Sequence, residues 1–127
     1  MTHFKKHFTI EEARALMPGL RKLFEKVHAA RDRMRELDFE LGQAFMASGG
    51  DFGGEKVMGL ARAISALHDA LMAIADVGVQ VKDLERGLVD FPAWRDGKEV
   101  FLCWELDEKD IGHWHELETG YGSRKKL

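Results

Sequence analysis

A chain of 127 residues, 45% hydrophobic and 32% charged, has the size and composition of one ordinary globular domain. Its formal charge of -3 is unevenly placed, since residues 1–77 carry 11 basic and 11 acidic side chains and residues 78–127 carry 8 and 11. With no basic face to displace counterions from phosphate, nucleic acid is not an expected partner, and the lone Cys103 excludes an intrachain disulfide and points to a reducing, cytoplasmic compartment.

Residues 1–6 lead into a polar segment rather than a signal peptide, and no stretch is expected to reach the length that spans a bilayer. Thr9 and Glu12 have capping-box spacing, so a helix is predicted to start at Ile10. Pro18 lacks an amide donor and is predicted to kink that helix or restart it, giving a short helix and then a long one. From there Leu20, Leu23, Val27, Ala30, Met34, Leu37, Leu41 and Ala44 recur at steps of three and four, the pattern of an amphipathic helix. Ser48 to Gly54, with four glycines, reads as a flexible loop rather than a phosphate-binding one, because the Walker spacing is missing. Val57, Leu60, Ile64, Leu67, Leu71 and Ile74 then define a second helix ending at Gly78. Two such helices are expected to pack antiparallel in the manner of a coiled coil.

A hairpin leaves each seam half covered. Phe39 and Met46 lie on the back of the first helix near its loop end, and Met58 lies at the same end of the second. These three are the candidate contacts of a homodimer in which two hairpins form a four-helix bundle.

After Gly78 the pattern changes to alternation and turns. Val79 and Val81, Leu88 to Phe91, Glu99 to Leu106 and His113 to Leu117 read as short strands, with turns at Arg86-Gly87 and Asp96-Gly97; Pro92 is expected at a strand end or a sheet edge. The fold class is therefore α+β in a single domain: a helical hairpin over 10–77 kinked at Pro18, an antiparallel sheet of three or four strands over 78–120, and a tail over 121–127. Trp104 shares a face with Val100 and Leu102 and is expected in the core. Trp94, beside a turn, is expected to be exposed.

Several runs together carry a resemblance: Phe8-Thr9 and Glu11-Glu12-Ala13, Gly78 to Leu84, Gly87 to Pro92, Leu102-Cys103-Trp104, Trp114-His115-Glu116, and Gly120-Tyr121-Gly122 with Arg124. In this order they resemble the small bacterial family grouped as domain of unknown function 2203. The resemblance implies a type of protein and no activity.

For chemistry, His113 and His115 share a strand face and could present two imidazoles to a metal, with Asp90, Cys103 or Glu105 as further ligands; the plainer reading solvates His113 and hydrogen-bonds His115 within the sheet. Cys103 with His115 as base and Asp90 or Glu105 as orienting acid has no supporting motif, and a Cys between Leu102 and Trp104 reads as a small buried residue. Asp83, Glu85 and Asp90 are expected to bond turn amides or pair with nearby cations, and the stretch from Gly120 to Arg124 to form a partly ordered tail, in which Arg124 would clamp a carboxylate only if it folded back. The residues singled out for a ligand or partner are Asp83, Asp90, Trp114, His115, Glu116 and Arg124. Two functions remain: a non-enzymatic homodimeric binding or assembly module, contacting a protein or small ligand and needing no cofactor, and a small metal-dependent hydrolase centred on His115 and Glu116. Convergence of His115 with two further metal-capable side chains on a concavity would favour the second.

Overall fold

The computed structural model describes residues 2–48 and 54–127, so the glycine loop expected at Ser48 to Gly54 lies almost wholly outside the described residues. The element order is α1 (Ile10–Ser48), α2 (Gly54–Val77), β1 (Gln80–Asp83), β2 (Leu88–Arg95), β3 (Lys98–Glu105), β4 (His113–Glu116), a short 3-10 turn (Tyr121–Ser123) and β5 (Lys125–Lys126). Two compact units divide these residues: one holds the chain up to Arg21 together with Ile74–Leu127, the other holds Lys22–Ala73.

In the second unit α1 and α2 pack as an antiparallel pair. A Cβ on Gly59 would stand 3.4 Å from the Leu37 side chain, and at the other end Leu23, Lys26 and Ala29 share a groove with Ala66, Ala70 and Ala73. Phe24, Val27, Ala30 and Leu37 are buried on α1, and Ala63 and Ala70 on α2. The α2 seam is rotated from the expected one. Val57 and Ile64, expected to face α1, are 42% and 48% exposed, because small Ala63 and Ala70 take the line of closest approach and leave the larger residues on a flank. Phe24, absent from the expected seam, is fully buried in place of half-buried Leu23.

Among the described residues one helix, α2, is long and apolar enough by length and composition to cross a membrane, with only 17% of its most apolar window buried. The expectation that no stretch approaches that length is corrected: Arg62 and Asp69 are the only Asp, Glu, Lys or Arg residues from Val57 to Ile74.

In the first unit the capping box forms as expected, with the Thr9 amide donating to Glu12 Oε1 at 3.0 Å and the Glu12 amide to Thr9 Oγ1 at 3.1 Å. Of the two outcomes expected at Pro18, a kink or a restart, the restart into a second helix does not occur. α1 runs unbroken through it, a conformation that forgoes one helical hydrogen bond at a cost of about 3 kcal/mol, while Ala13, Met17 and Leu20 around it are all buried.

The sheet is antiparallel in the order β1-β2-β3-β4-β5. It has five strands rather than three or four, because Lys125 and Lys126 of the expected tail pair with Trp114 and His113. Asp96 and Gly97 both have positive φ, 51° and 77°, as a two-residue hairpin turn of type I′ requires, and they set the full eight-residue register of β2 on β3. Gly87, at φ 65°, turns β1 into β2, and its α-carbon faces Leu106 so closely that a Cβ there would sit 2.7 Å from Leu106 Cβ. Pro92 lies beyond the reach of β1, and its carbonyl accepts the Phe8 amide at 2.7 Å on the side away from β3, so its missing donor falls on a side of β2 that no other strand of the sheet pairs.

Both sheet faces are covered. One carries Val89, Phe91, Ala93, Val100, Leu102 and fully buried Trp104, and meets the start of α1: the Arg21 guanidinium lies 5.0 Å over the Trp104 ring and donates to the carbonyls of Leu106 and Glu108. The other carries Leu88, Asp90, Pro92, Phe101, Cys103 and His115.

Candidate functional site

Three neighbouring strands bring Asp90, Cys103 and His115 together on that second face. Antiparallel pairing sets Asp90 opposite Cys103 and His115 opposite Phe101, so the imidazole reaches diagonally between the other two. All three are buried, and one ligand atom from each lies within 4.8 Å of the others.

The hydrogen bonds define the proton content of this centre. His115 Nδ1 stands 2.8 Å from the Glu116 carbonyl oxygen, which can only accept, so Nδ1 carries a proton. Nε2 stands 2.9 Å from Asp90 Oδ2. A lone pair on Nε2 and a carboxylate oxygen would repel at that distance between buried groups, so a proton sits between them. Asp90 Oδ1, equally buried, has no hydrogen-bond partner among the described residues.

Burial first, and then the neighbouring Asp90 carboxylate, push the Cys103 thiol up to about 12. At neutral pH it is a thiol, and His115 turns Nε2 to Asp90 rather than to sulfur, so the geometry of an activated cysteine nucleophile is not formed. A small cavity of ≈ 190 Å³ adjoins the three residues, walled also by Lys82, Leu88 and Tyr121. The chain end closes over it. Arg124 Nη1 donates to Glu108 Oε1 at 3.0 Å and approaches Cys103 Sγ at 3.9 Å, and its guanidinium stacks 4.2 Å from the Tyr121 ring.

At the other end of β3 the same face holds a clamp that no sequence motif marked. The Glu99 carboxylate accepts from the His3 ring and amide, the Phe4 amide and the His7 ring, at 2.7 to 3.3 Å. Phe4 is thereby held 5.2 Å from Phe101, and His7 stacks on Trp94, which is half exposed as expected. Burial alone would raise the Glu99 carboxyl, but the His3 and His7 rings and the two amides overcome this and hold it at about 2, below its ordinary 4.5. The contribution to stability is therefore full above about pH 4.5 and is lost as pH falls through 2. In an acid titration followed by amide exchange, protection at Phe4 and Phe8 is expected to persist at pH 4 and vanish near pH 2, whereas Glu99→Gln loses it at pH 4 already.

The remaining predicted residues disperse. His113 does not join His115: it stands 3.7 Å from Glu108 Oε2, and its ligand atoms lie outside the three-residue cluster. Glu116 follows His115 in the strand and so takes the opposite face, paired with Lys125 at 3.7 Å, which rules out one centre built on both. Trp114 shares that face, with the Arg95 guanidinium 4.6 Å and the Lys125 ammonium 4.8 Å from its ring. A groove of ≈ 450 Å³ runs beside it, edged by Arg95, Val100, Glu116 and Leu117. Asp83 accepts the Arg86 amide in its turn, and Glu105 pairs with Arg86 at 2.6 Å. Phe39, Met46 and Met58 are exposed, at 66%, 83% and 53%.

Over residues 6–127 the chain matches the family described as "Uncharacterized conserved protein (DUF2203)". No curated protein and no solved structure matches it.

Proposed function

We propose that this chain, which belongs to the uncharacterised DUF2203 family, is a non-enzymatic, homodimeric binding or assembly module. The carrying observation is the state of α2: a helix apolar enough for a bilayer, of which the single chain buries only a small share. Val57, Met58, Ile64 and Met72 face outward along it, and Phe39 and Met46 do so on α1. Lipid is a poor cover for this surface. Arg62 and Asp69 would each cost about 2.5–3.5 kcal/mol at the centre of a membrane, and α1, packed along α2, has seven charged residues between Arg31 and Glu40. A second copy of the hairpin offers the same apolar flank and leaves those charges at a wet rim, as a two-fold interface does.

Light scattering and sedimentation across the micromolar range test this. The native chain is expected at twice the mass of one chain. Phe39→Glu with Met58→Glu is expected to weaken association at least about 100-fold, since each side chain is counted twice in a two-fold interface and burial of one contributes about 1.5–3 kcal/mol. The helical signal should survive, both residues being exposed in the single chain. A one-chain mass at every concentration overturns the reading.

Room for a further ligand lies beside Trp114, in a groove of the sheet within the usual size of a small-molecule pocket. The metal-dependent hydrolase keeps one supporting observation, the convergence of Asp90, Cys103 and His115. Their cavity of ≈ 190 Å³ is below the size that admits most substrates together with an attacking water, and the assembly reading is preferred for that reason.

A further inference from the structure

We propose that Asp90, Cys103 and His115 form a binding site for one divalent transition metal ion of the zinc class, tying β2, β3 and β4 together beneath the chain end. The inference does not rest on dimerisation.

Four observations carry it. The donor set combines carboxylate, thiol and imidazole, a mixture that suits Zn²⁺ or Co²⁺ and is foreign to Mg²⁺ or Ca²⁺ sites. Each residue comes from a different strand of a rigid sheet, and their ligand atoms fall within 4.8 Å of one another. Tetrahedral coordination with bonds of about 2.0–2.3 Å sets ligand atoms about 3.3–3.8 Å apart, so a small adjustment admits the ion. Further, His115 bonds Nδ1 to a backbone carbonyl and turns Nε2 inward, the support that a ligating histidine ordinarily has. Finally, Nε2 and Asp90 Oδ2 share a proton at 2.9 Å, so that both turn a lone pair to an ion once that proton leaves, and the fully buried Asp90 Oδ1 is without a partner among the described residues.

The proton between Nε2 and Oδ2 is what the ion replaces. As the bonds to sulfur, nitrogen and oxygen form, the Cys103 S–H bond breaks, and the thiol proton and the shared proton leave to solvent. A doubly charged cation with one thiolate, one carboxylate and a neutral imidazole sums to zero, and Arg124 with Glu108 beside them is likewise neutral. The buried centre carries no net charge, as a water-poor site requires. A fourth position opens to the cavity walled by Lys82 and Tyr121, which has space for a water.

The test uses the untagged full chain, stripped with a chelator and titrated with Co²⁺. One ion per chain is expected, with the charge-transfer absorption of a Co²⁺–thiolate bond, and Zn²⁺ should bleach it. Cys103→Ser is expected to abolish that absorption, and Asp90→Asn to weaken Co²⁺ binding at least tenfold, with circular dichroism of the same samples showing both variants folded. His113→Ala is expected to bind as the native chain does. No thiolate absorption in the native chain overturns the proposal, as does an absorption that survives Cys103→Ser. Loss of binding in His113→Ala overturns it equally, by moving the ion to His113 and Glu108.

Discussion

His115→Ala is expected to destabilise the metal-free protein by about 3–5 kcal/mol, the range seen when one partner of a buried pair is removed and the other is left in place. Asp90 is 1% exposed and has His115 as its hydrogen-bond partner through Oδ2, so truncating the ring strands a buried carboxylate without that partner. Asp90→Asn provides the control. An asparagine amide donates to Nε2 without any shared proton, so the contact survives and the loss is expected at about 1 kcal/mol or less. Urea unfolding of the three proteins in chelator gives both numbers. Equal losses from the two substitutions would mean that the ring matters for its volume and not for the proton it shares.

Gly87→Ala is the second substitution with a large expected effect, about 2–5 kcal/mol, from two sources that add. A left-handed backbone costs a residue with a Cβ about 1–2 kcal/mol, and overpacking a tight contact costs about 1–3 kcal/mol. The new methyl would stand 2.7 Å from Leu106 Cβ, an atom fixed to the backbone that cannot swing away. Leu106 also donates its amide to the Gly87 carbonyl at 3.2 Å, so any retreat opens the pairing at the end of β2 and β3. Thermal unfolding is the measurement, with Gly97→Ala as the comparison: Gly97 shares the positive φ but has no atom within 4 Å of its absent Cβ. The strain alone should then appear, and a loss from Gly97→Ala as large as that from Gly87→Ala would show that contact with Leu106 adds nothing.

The fold was legible where local chemistry decides it. Thr9 with Glu12 marks a helix start, and Asp96-Gly97 marks a hairpin, because each rests on bonds or dihedrals within a few residues. Helix phase was less so. α2 is apolar on two flanks, so the spacing of Val57 and Ile64 is as regular as that of Ala63 and Ala70, and only packing against Leu37 and its neighbours selects between them. The restart expected at Pro18 failed for a different reason, since the lost hydrogen bond is a local cost and the burial of Met17 and Leu20 that offsets it is not.

For the candidate site, Asp90, Cys103 and His115 were legible together as chemistry, but with His113 and Glu105 as alternatives that the sequence did not separate from them. Their union follows from a strand register that runs the length of β2 and β3, and the same alternation that seats His115 inside sends Glu116 out. Glu99 was missed altogether because His3 and His7 lie 96 and 92 residues away from it. The one available sign was its place in the row with Phe101 and Cys103, where a carboxylate must find donors or remain outside.

The chain's single sulfhydryl also gives it a built-in reporter. With Cys103 1% exposed and its ionisation pushed up to about 12, an alkylating reagent has essentially no anion to attack in the closed protein. The rate at which such a reagent is consumed therefore counts the moments when the middle of the sheet comes apart, and reads the opening equilibrium directly without any engineered label.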